Sequence, residues 1–198
     1  MKLLVATRNS NKVREIRDKF RGLAGLELVS LDDIAPLPDV VEDGATFEEN
    51  ALKKARETAR LSGLPSMADD SGLEVDALGG EPGVYSARYA GEGATDADRN
   101  SLLLEKMKEV PEGKRSARFV CVIAIAFPGG SELVTRGICE GEIARMPMGA
   151  HGFGYDPVFH LPEKGKTMAE IPLEEKNRIS HRALALEQAR RLLEATRP

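Results

Sequence analysis

Short apolar runs alternate along this chain with segments whose apolar residues recur at helical spacing, and that alternation constrains the fold more than any single motif. Lys2 to Ala6 is an apolar run ending in Thr7-Arg8-Asn9-Ser10-Asn11, after which Val13, Ile16, Arg17 and Phe20 keep a helical period up to Gly22. The segment reads as strand, loop and helix. Leu26 to Leu31 reads as a second strand, and Ile34 to Gly44, rich in proline and acids, as a loop suited to a cation. Thr46 followed three residues later by Glu49 is a capping-box pattern, opening a helix through Ala51, Leu52, Ala55, Ala59 and Leu61 that ends at Gly63 before Pro65.

Ser66 to Asp70 is expected as a short strand carrying its acids at the end, with Gly72 allowing a tight turn after them. Loops are marked at Gly79 to Gly83 and Gly91 to Gly93, and Asp96 is expected to cap a helix through Met107. Arg118 to Phe127, the turn Pro128-Gly129-Gly130 and Glu132 to Ile143 read as a long hairpin, in which Cys121 and Cys139 come within a residue or two of facing each other. Beyond Gly149 a glycine-rich aromatic segment reaches Asp156-Pro157. A short strand is expected at Val158 to Leu161, a polar loop to Asn177, and a last helix from near Ser180. With no repeat and no low-complexity linker, the pattern is that of one α/β domain.

Several function classes fall away on composition. No run of the 198 residues is apolar enough to cross a bilayer, and the amino terminus turns polar at once after Ala6, so no membrane partner and a cytoplasmic location are expected. A net charge of −4 gives no basic footprint for nucleic acid. The two cysteines lack CxxC spacing and a nearby histidine, which argues against a zinc site and against a disulfide scaffold. Gly165-Lys166-Thr167 lacks the leading glycine of a P-loop, and Gly152-Phe153-Gly154 has Pro157 where a dinucleotide fingerprint needs its third glycine.

Three segments carry chemistry of another kind. Thr7 to Lys12 places hydroxyls, amides and a cation at a helix amino end, an arrangement that attracts phosphate and that also serves as an ordinary cap by Asn9 or Ser10. Asp69-Asp70-Ser71 puts two carboxylates at adjacent strand positions, which point to opposite faces. One is then expected in a cleft and the other at solvent or a helix cap. Mg²⁺ binds through one or two carboxylates plus substrate phosphates, and Glu42 in the acidic loop is a candidate second ligand. Ser180-His181-Arg182 sets an imidazole and a guanidinium at a helix amino end, where the dipole disfavours cations unless an anion or a polar ligand is near. Phe153-Gly154-Tyr155-Asp156 supplies aromatics that either stack on a purine or pack in the core.

These segments, with Thr46-Phe47-x-Glu49-Asn50-Ala51 and Pro82-Gly83-Val84-Tyr85-Ser86-Ala87-Arg88, resemble in order the inosine triphosphate pyrophosphatase family over nearly the whole chain. The resemblance implies an elongated mixed β-sheet flanked by helices, in two lobes with the active-site cleft between them, usually as a homodimer. It implies hydrolysis of ITP, dITP and XTP with Mg²⁺. Asp70 would be the catalytic base and a metal ligand beside Glu42. Thr7, Arg8, Asn9, Ser10, Asn11, Lys12 and Ser71 would contact the substrate, with Lys54 adding charge against the phosphates. Phe153, Gly154, Tyr155, Asp156, Lys176, His181 and Arg182 would surround the base. Arg8 stands where the family commonly has Gly, and Asp69 is left as a supporting residue.

Overall fold

The structure, a computed structural model, describes residues 1–195. Seven strands form one mixed sheet: β1 Lys2–Val5, β2 Glu27–Ser30, β3 Ser66–Val75, β4 Ser116–Ala126, β5 Glu132–Ile143, β6 Phe159–Leu161 and β7 Lys166–Thr167. Their order is β2-β1-β3-β4-β5-β6-β7. β1 runs parallel to β2 and to β3, whereas β6 pairs antiparallel with both β5 and β7. The helices are α1 Ser10–Phe20, α2 Phe47–Ser62, α3 Asp96–Lys106, α4 Leu173–Ile179 and α5 His181–Ala195. The α/β class follows from this pattern, and no described helix is long and apolar enough to cross a membrane.

Backbone contacts group the described residues into two compact units, one of residues 1–70, 121–137 and 182–195, the other of 71–120 and 138–181. The first has a core of Leu3 and Val5 from β1, Met67 from β3 and Cys121, Ile123 and Ile125 from β4. Ile16 and Phe20 of α1 and Ala185, Leu186, Ala189 and Leu193 of α5 close over them. The spacing on both helices is the i, i+3, i+4 stripe that the sequence carries, and each fully buried aliphatic side chain is worth about 1.5–3 kcal/mol. The second unit gathers Leu73, Val75, Leu103, Met107, Phe119, Ile143, Tyr155 and Phe159 around its own core.

Three expectations change. β3 does not stop at the acids but continues to Val75, because Gly72 stays out of the left-handed region and Leu73 and Val75 are fully buried strand residues. Thr95, not Asp96, caps α3: its hydroxyl accepts from the Asp98 amide at 3.2 Å and the Asp98 carboxylate accepts from the Thr95 amide at 2.8 Å. The segment expected as a polar loop to Asn177 contains β7 and α4, with Pro172 leading into α4 and Glu174 and Glu175 in its first turn. Cys121 and Cys139 are both buried free thiols, in keeping with the argument against a disulfide scaffold.

Local chemistry explains the helix that follows the acidic loop. The Thr46 hydroxyl accepts from the Glu49 amide at 3.1 Å, while the Glu49 carboxylate reaches one residue further back, to the Ala45 amide at 2.7 Å. Asn50 is buried and accepts from the Gly44 amide at 2.7 Å. A Cβ on Gly44 would come within 2.8 Å of that Asn50 oxygen, so the loop closes against α2 only with glycine there. At the other end Gly63, with φ of 69°, donates its amide to Ala59.

Candidate active site

Because β3 continues through both acids, Asp69 and Asp70 lie on opposite faces in mid-strand, and both are buried. The expectation that one of them meets solvent or a helix cap is corrected by the groups around Asp69. Its Oδ1 accepts from the Lys12 ammonium, and its Oδ2 accepts from Arg182 Nε at 2.8 Å and from the Cys121 thiol at 3.2 Å. Arg182 Nη1 also donates to Glu15 Oε2 at 2.8 Å. Burial alone would raise the Asp69 carboxyl, yet the Arg182 and Lys12 charges hold it well below the usual carboxylate range. The anion that a cation at a helix amino end calls for is therefore supplied from within the protein, on the first turn of α5.

Asp70 meets the opposite environment. Burial, and after it the negative charge of Glu42, raise its carboxyl from 3.8 to about 6, against opposing pulls from Lys12, Lys54 and a hydrogen bond with Asn50. Glu42 forms an ion pair with Lys54, whose ammonium also lies 3.5 Å from the Asp69 carbonyl. Two carboxylates that repel each other, with lysines beside them, are a hard-oxygen donor set for a divalent cation that shares its remaining positions with phosphate and water. Among the described residues no cluster of three or more acidic, histidine or cysteine ligands exists, so a full protein cage is not offered.

The segment from Thr7 to Lys12 joins β1 to the first turn of α1. Asn9 caps α1, its side-chain oxygen accepting from the Asn11 amide at 3.0 Å and the Lys12 amide at 3.2 Å, and Ser10 is the first helical residue. Thr7 Oγ1 accepts from the Asn9 amide at 3.2 Å. Arg8 pairs with Asp39 and donates to the Leu37 carbonyl at 3.3 Å, tying this segment to the acidic loop. Thr7, Arg8, Asp39, Glu42 and Lys54 line a cavity of about 310 Å³ that Leu31, Leu37 and Leu61 close on the apolar side.

In the second unit, the Asp156 Oδ2 accepts from the Phe153 amide at 2.9 Å and from the Lys176 ammonium, and that ammonium lies 4.6 Å from the centre of the Phe153 ring. A Cβ on Gly152 would land on the same Asp156 oxygen, so the backbone folds over Asp156 only because that residue is glycine, with φ of 77°. The Gly154 amide donates to Asp96 at 2.6 Å and its carbonyl accepts from Asn100 at 3.0 Å. Tyr155 belongs to the core, its hydroxyl donating to the Ser86 carbonyl at 2.9 Å. His181 is buried and stacks on Phe119 with centroids 4.7 Å apart. Ser71, half-buried, follows Asp70 on β3.

The structure thus brings Lys12, Asp69 and Arg182 together, sets Glu42 and Lys54 beside Asp70, and joins Phe153, Asp156 and Lys176. Sequence reasoning missed Glu15 and Cys121 as members of the Asp69 cluster. Glu15 falls one residue before Ile16 on the buried side of α1, and an acid in a buried helical stripe was the signal for it.

The profile of the Ham1 family matches residues 3–192. The chain belongs to the Ham1 family. Relatives in that family include the dITP/XTP pyrophosphatase of Geobacter sulfurreducens, 55% identical over 185 residues, covering 93% of this chain and 92% of that protein. The dITP/XTP pyrophosphatase of Thermus thermophilus is 54% identical over 195 residues, covering 98% of this chain and 91% of that protein. Among solved structures, a Ham1 protein from Coxiella burnetii superposes with a TM-score of 0.92 at 43% identity, covering 99% of this chain and 100% of the other. The mixed sheet with its flanking helices is therefore the Ham1 fold.

Proposed function

We propose that this Ham1-family chain is a Mg²⁺-dependent nucleoside triphosphate pyrophosphatase. It hydrolyses non-standard purine nucleotides (ITP, dITP and XTP) to the monophosphate and pyrophosphate, a house-cleaning role that keeps them out of nucleic acids. The observation that carries this reading is the Asp70 carboxyl, buried beside Glu42 and raised to about 6, with Lys54 against the pair. The names of the relatives, dITP/XTP pyrophosphatase, support the substrate class.

Asp70 and Glu42 would hold Mg²⁺, which when bound neutralises their mutual repulsion and polarises phosphate oxygens. Asp70 orients a water molecule and takes up its proton. The water oxygen bonds to the α-phosphorus as the bond from that phosphorus to the α–β bridging oxygen breaks, and pyrophosphate leaves with the electron pair. Lys12 and Lys54 answer the charge that develops on the leaving group. Thr7 to Lys12 and Ser71 contact the phosphates. We assign recognition of a 6-oxo purine to Phe153, Asp156, Lys176, His181 and Arg182, where buried polar groups would be left unmatched by an adenine amino group.

The test is to incubate the protein and Mg²⁺ with ITP, dITP, XTP and ATP and to identify the products. Pyrophosphate and monophosphate from the first three, with ATP spared, is the expected result, whereas orthophosphate alone would make the protein a phosphatase. We also assign it a homodimeric state, checked by light scattering in solution, and a cytoplasmic location, checked by cell fractionation.

A further inference from the structure

Asp69 lies next to the residue assigned to catalysis, yet it faces away from Glu42 and Lys54 and spends its charge elsewhere. Its two oxygens divide their partners, Oδ1 taking Lys12 and Oδ2 taking Arg182 and Cys121. Arg182 is held a second time by Glu15, through Nη1 to Oε2 at 2.8 Å. The cluster is formally balanced, two carboxylates against two cations, and the Asp69, Glu15 and Arg182 side chains are almost wholly buried. Such a cluster gains little over an apolar filling of the same volume, so stability alone gives no reason to keep it.

Its cations supply the reason. A lysine ammonium has three donors, and one of them is committed to Asp69, so the same contact that fixes the nitrogen leaves it the capacity to meet phosphate oxygens. An arginine guanidinium is a rigid fork, and holding Nε on Asp69 and Nη1 on Glu15 sets its plane. We propose that Asp69 is a positioning residue that fixes Lys12 for the phosphates and Arg182 for the base through the two oxygens of one carboxylate, with Glu15 as a second hold on Arg182. This rests on the roles given to Lys12 and Arg182 under the proposed function. The consequence is that affinity for the phosphate end and selectivity for the base share one determinant that touches neither.

The experiment uses the full chain with Mg²⁺ and two readouts: the competitive inhibition constant of inorganic pyrophosphate, and the ratio of kcat/KM for ITP to that for ATP. Asp69→Asn keeps the volume and removes the charge. It is expected to weaken pyrophosphate binding and to lower the ratio, each by about ten- to hundredfold, the range of one charge-assisted hydrogen bond, while kcat at saturating ITP falls by less. Lys12→Ala should move the inhibition constant but not the ratio, and Arg182→Ala the ratio but not the inhibition constant. Adding Asp69→Asn to Lys12→Ala should raise the inhibition constant little further, since the two then act through one contact. Wild-type values of both readouts in Asp69→Asn, or a loss of kcat alone, would overturn the proposal. If Lys12→Ala and Arg182→Ala themselves move neither readout, the assignment of those two residues is wrong and the inference falls with it. Should Asp69→Asn not fold, Glu15→Gln decides. A lower ratio with an unchanged inhibition constant supports the division of labour, and equal changes in both refute it.

Discussion

In the metal-free protein the Asp70 carboxyl holds its proton up to about pH 6, whereas the unfolded chain releases it near 3.8. Between those values the folded state binds more protons than the unfolded one, so the contribution of this group to stability is present below 3.8 and is lost as pH rises through about 6. Asp70→Asn escapes that loss. In EDTA at pH 7.5 the variant is expected to be more stable than the wild type by up to about 3 kcal/mol, with the difference closing toward pH 4. Thermal or urea unfolding across that range checks it, and a constant difference at all pH values would show that ionisation of Asp70 is not the cause. The same substitution should lower kcat by about 10²- to 10⁴-fold, the contribution typical of a positioned general base, with the circular dichroism spectrum retained. Both outcomes together, a more stable fold and a lost turnover, are what a functional carboxylate is expected to give at the scale of one residue.

The elements matter through how they terminate and turn. Gly152→Ala would force a left-handed backbone on a residue with a side chain and drive that side chain into Asp156, breaking the contact with Lys176. The expected outcome is a loss of about 1–3 kcal/mol of stability together with a higher KM for ITP, measured by denaturant titration and steady-state kinetics. Unchanged KM in the folded variant would separate this loop from the base. The helices were largely legible because their signals are local: Asn9 and Thr46 cap where such residues cap, and Gly63 ends α2 where a glycine should. What escaped was tertiary in origin. Gly72 looked like a turn until the burial of Leu73 and Val75 drew it into β3, and α4 is too short and too charged for its periodicity to rise above the surrounding polar segment. The candidate site divides in the same way. The sequence motifs mark Asp70, Lys12 and Arg182 as residues, but that Asp69 joins the last two depends on contacts across 57 and 113 positions that no local pattern encodes.

At the scale of the whole molecule, two predictions concern ligands and reagents that report on the folded chain. A divalent ion that binds only the native protein stabilises it by about 2.7 kcal/mol at a hundred times its Kd, and a chain of this length gains roughly 2–4 °C for each kcal/mol. Mg²⁺ is therefore expected to raise Tm by about 5–10 °C in the wild type and by much less in Glu42→Gln and Asp70→Asn. An equal rise in all three would place the ion elsewhere. Burial pushes the Cys121 thiol well above its ordinary range and the Cys139 thiol up to about 11, so both should resist a thiol reagent at pH 8 in the native protein. In denaturant both should react, giving two thiols per chain with no reductant added.

The placement of two acids back to back on β3 also bears on how such a chain can change by insertion and deletion. A strand counts in twos, so adding or losing one residue between the start of β3 and Asp69 would present each carboxylate to the other's surroundings. Asp70 would then meet Arg182, and Asp69 would meet Glu42. A change of two residues keeps the parity, and a change of one inverts the site without altering a single side chain within it. The few positions from Ser66 to Asp70 therefore behave as a reading frame for the two carboxylates.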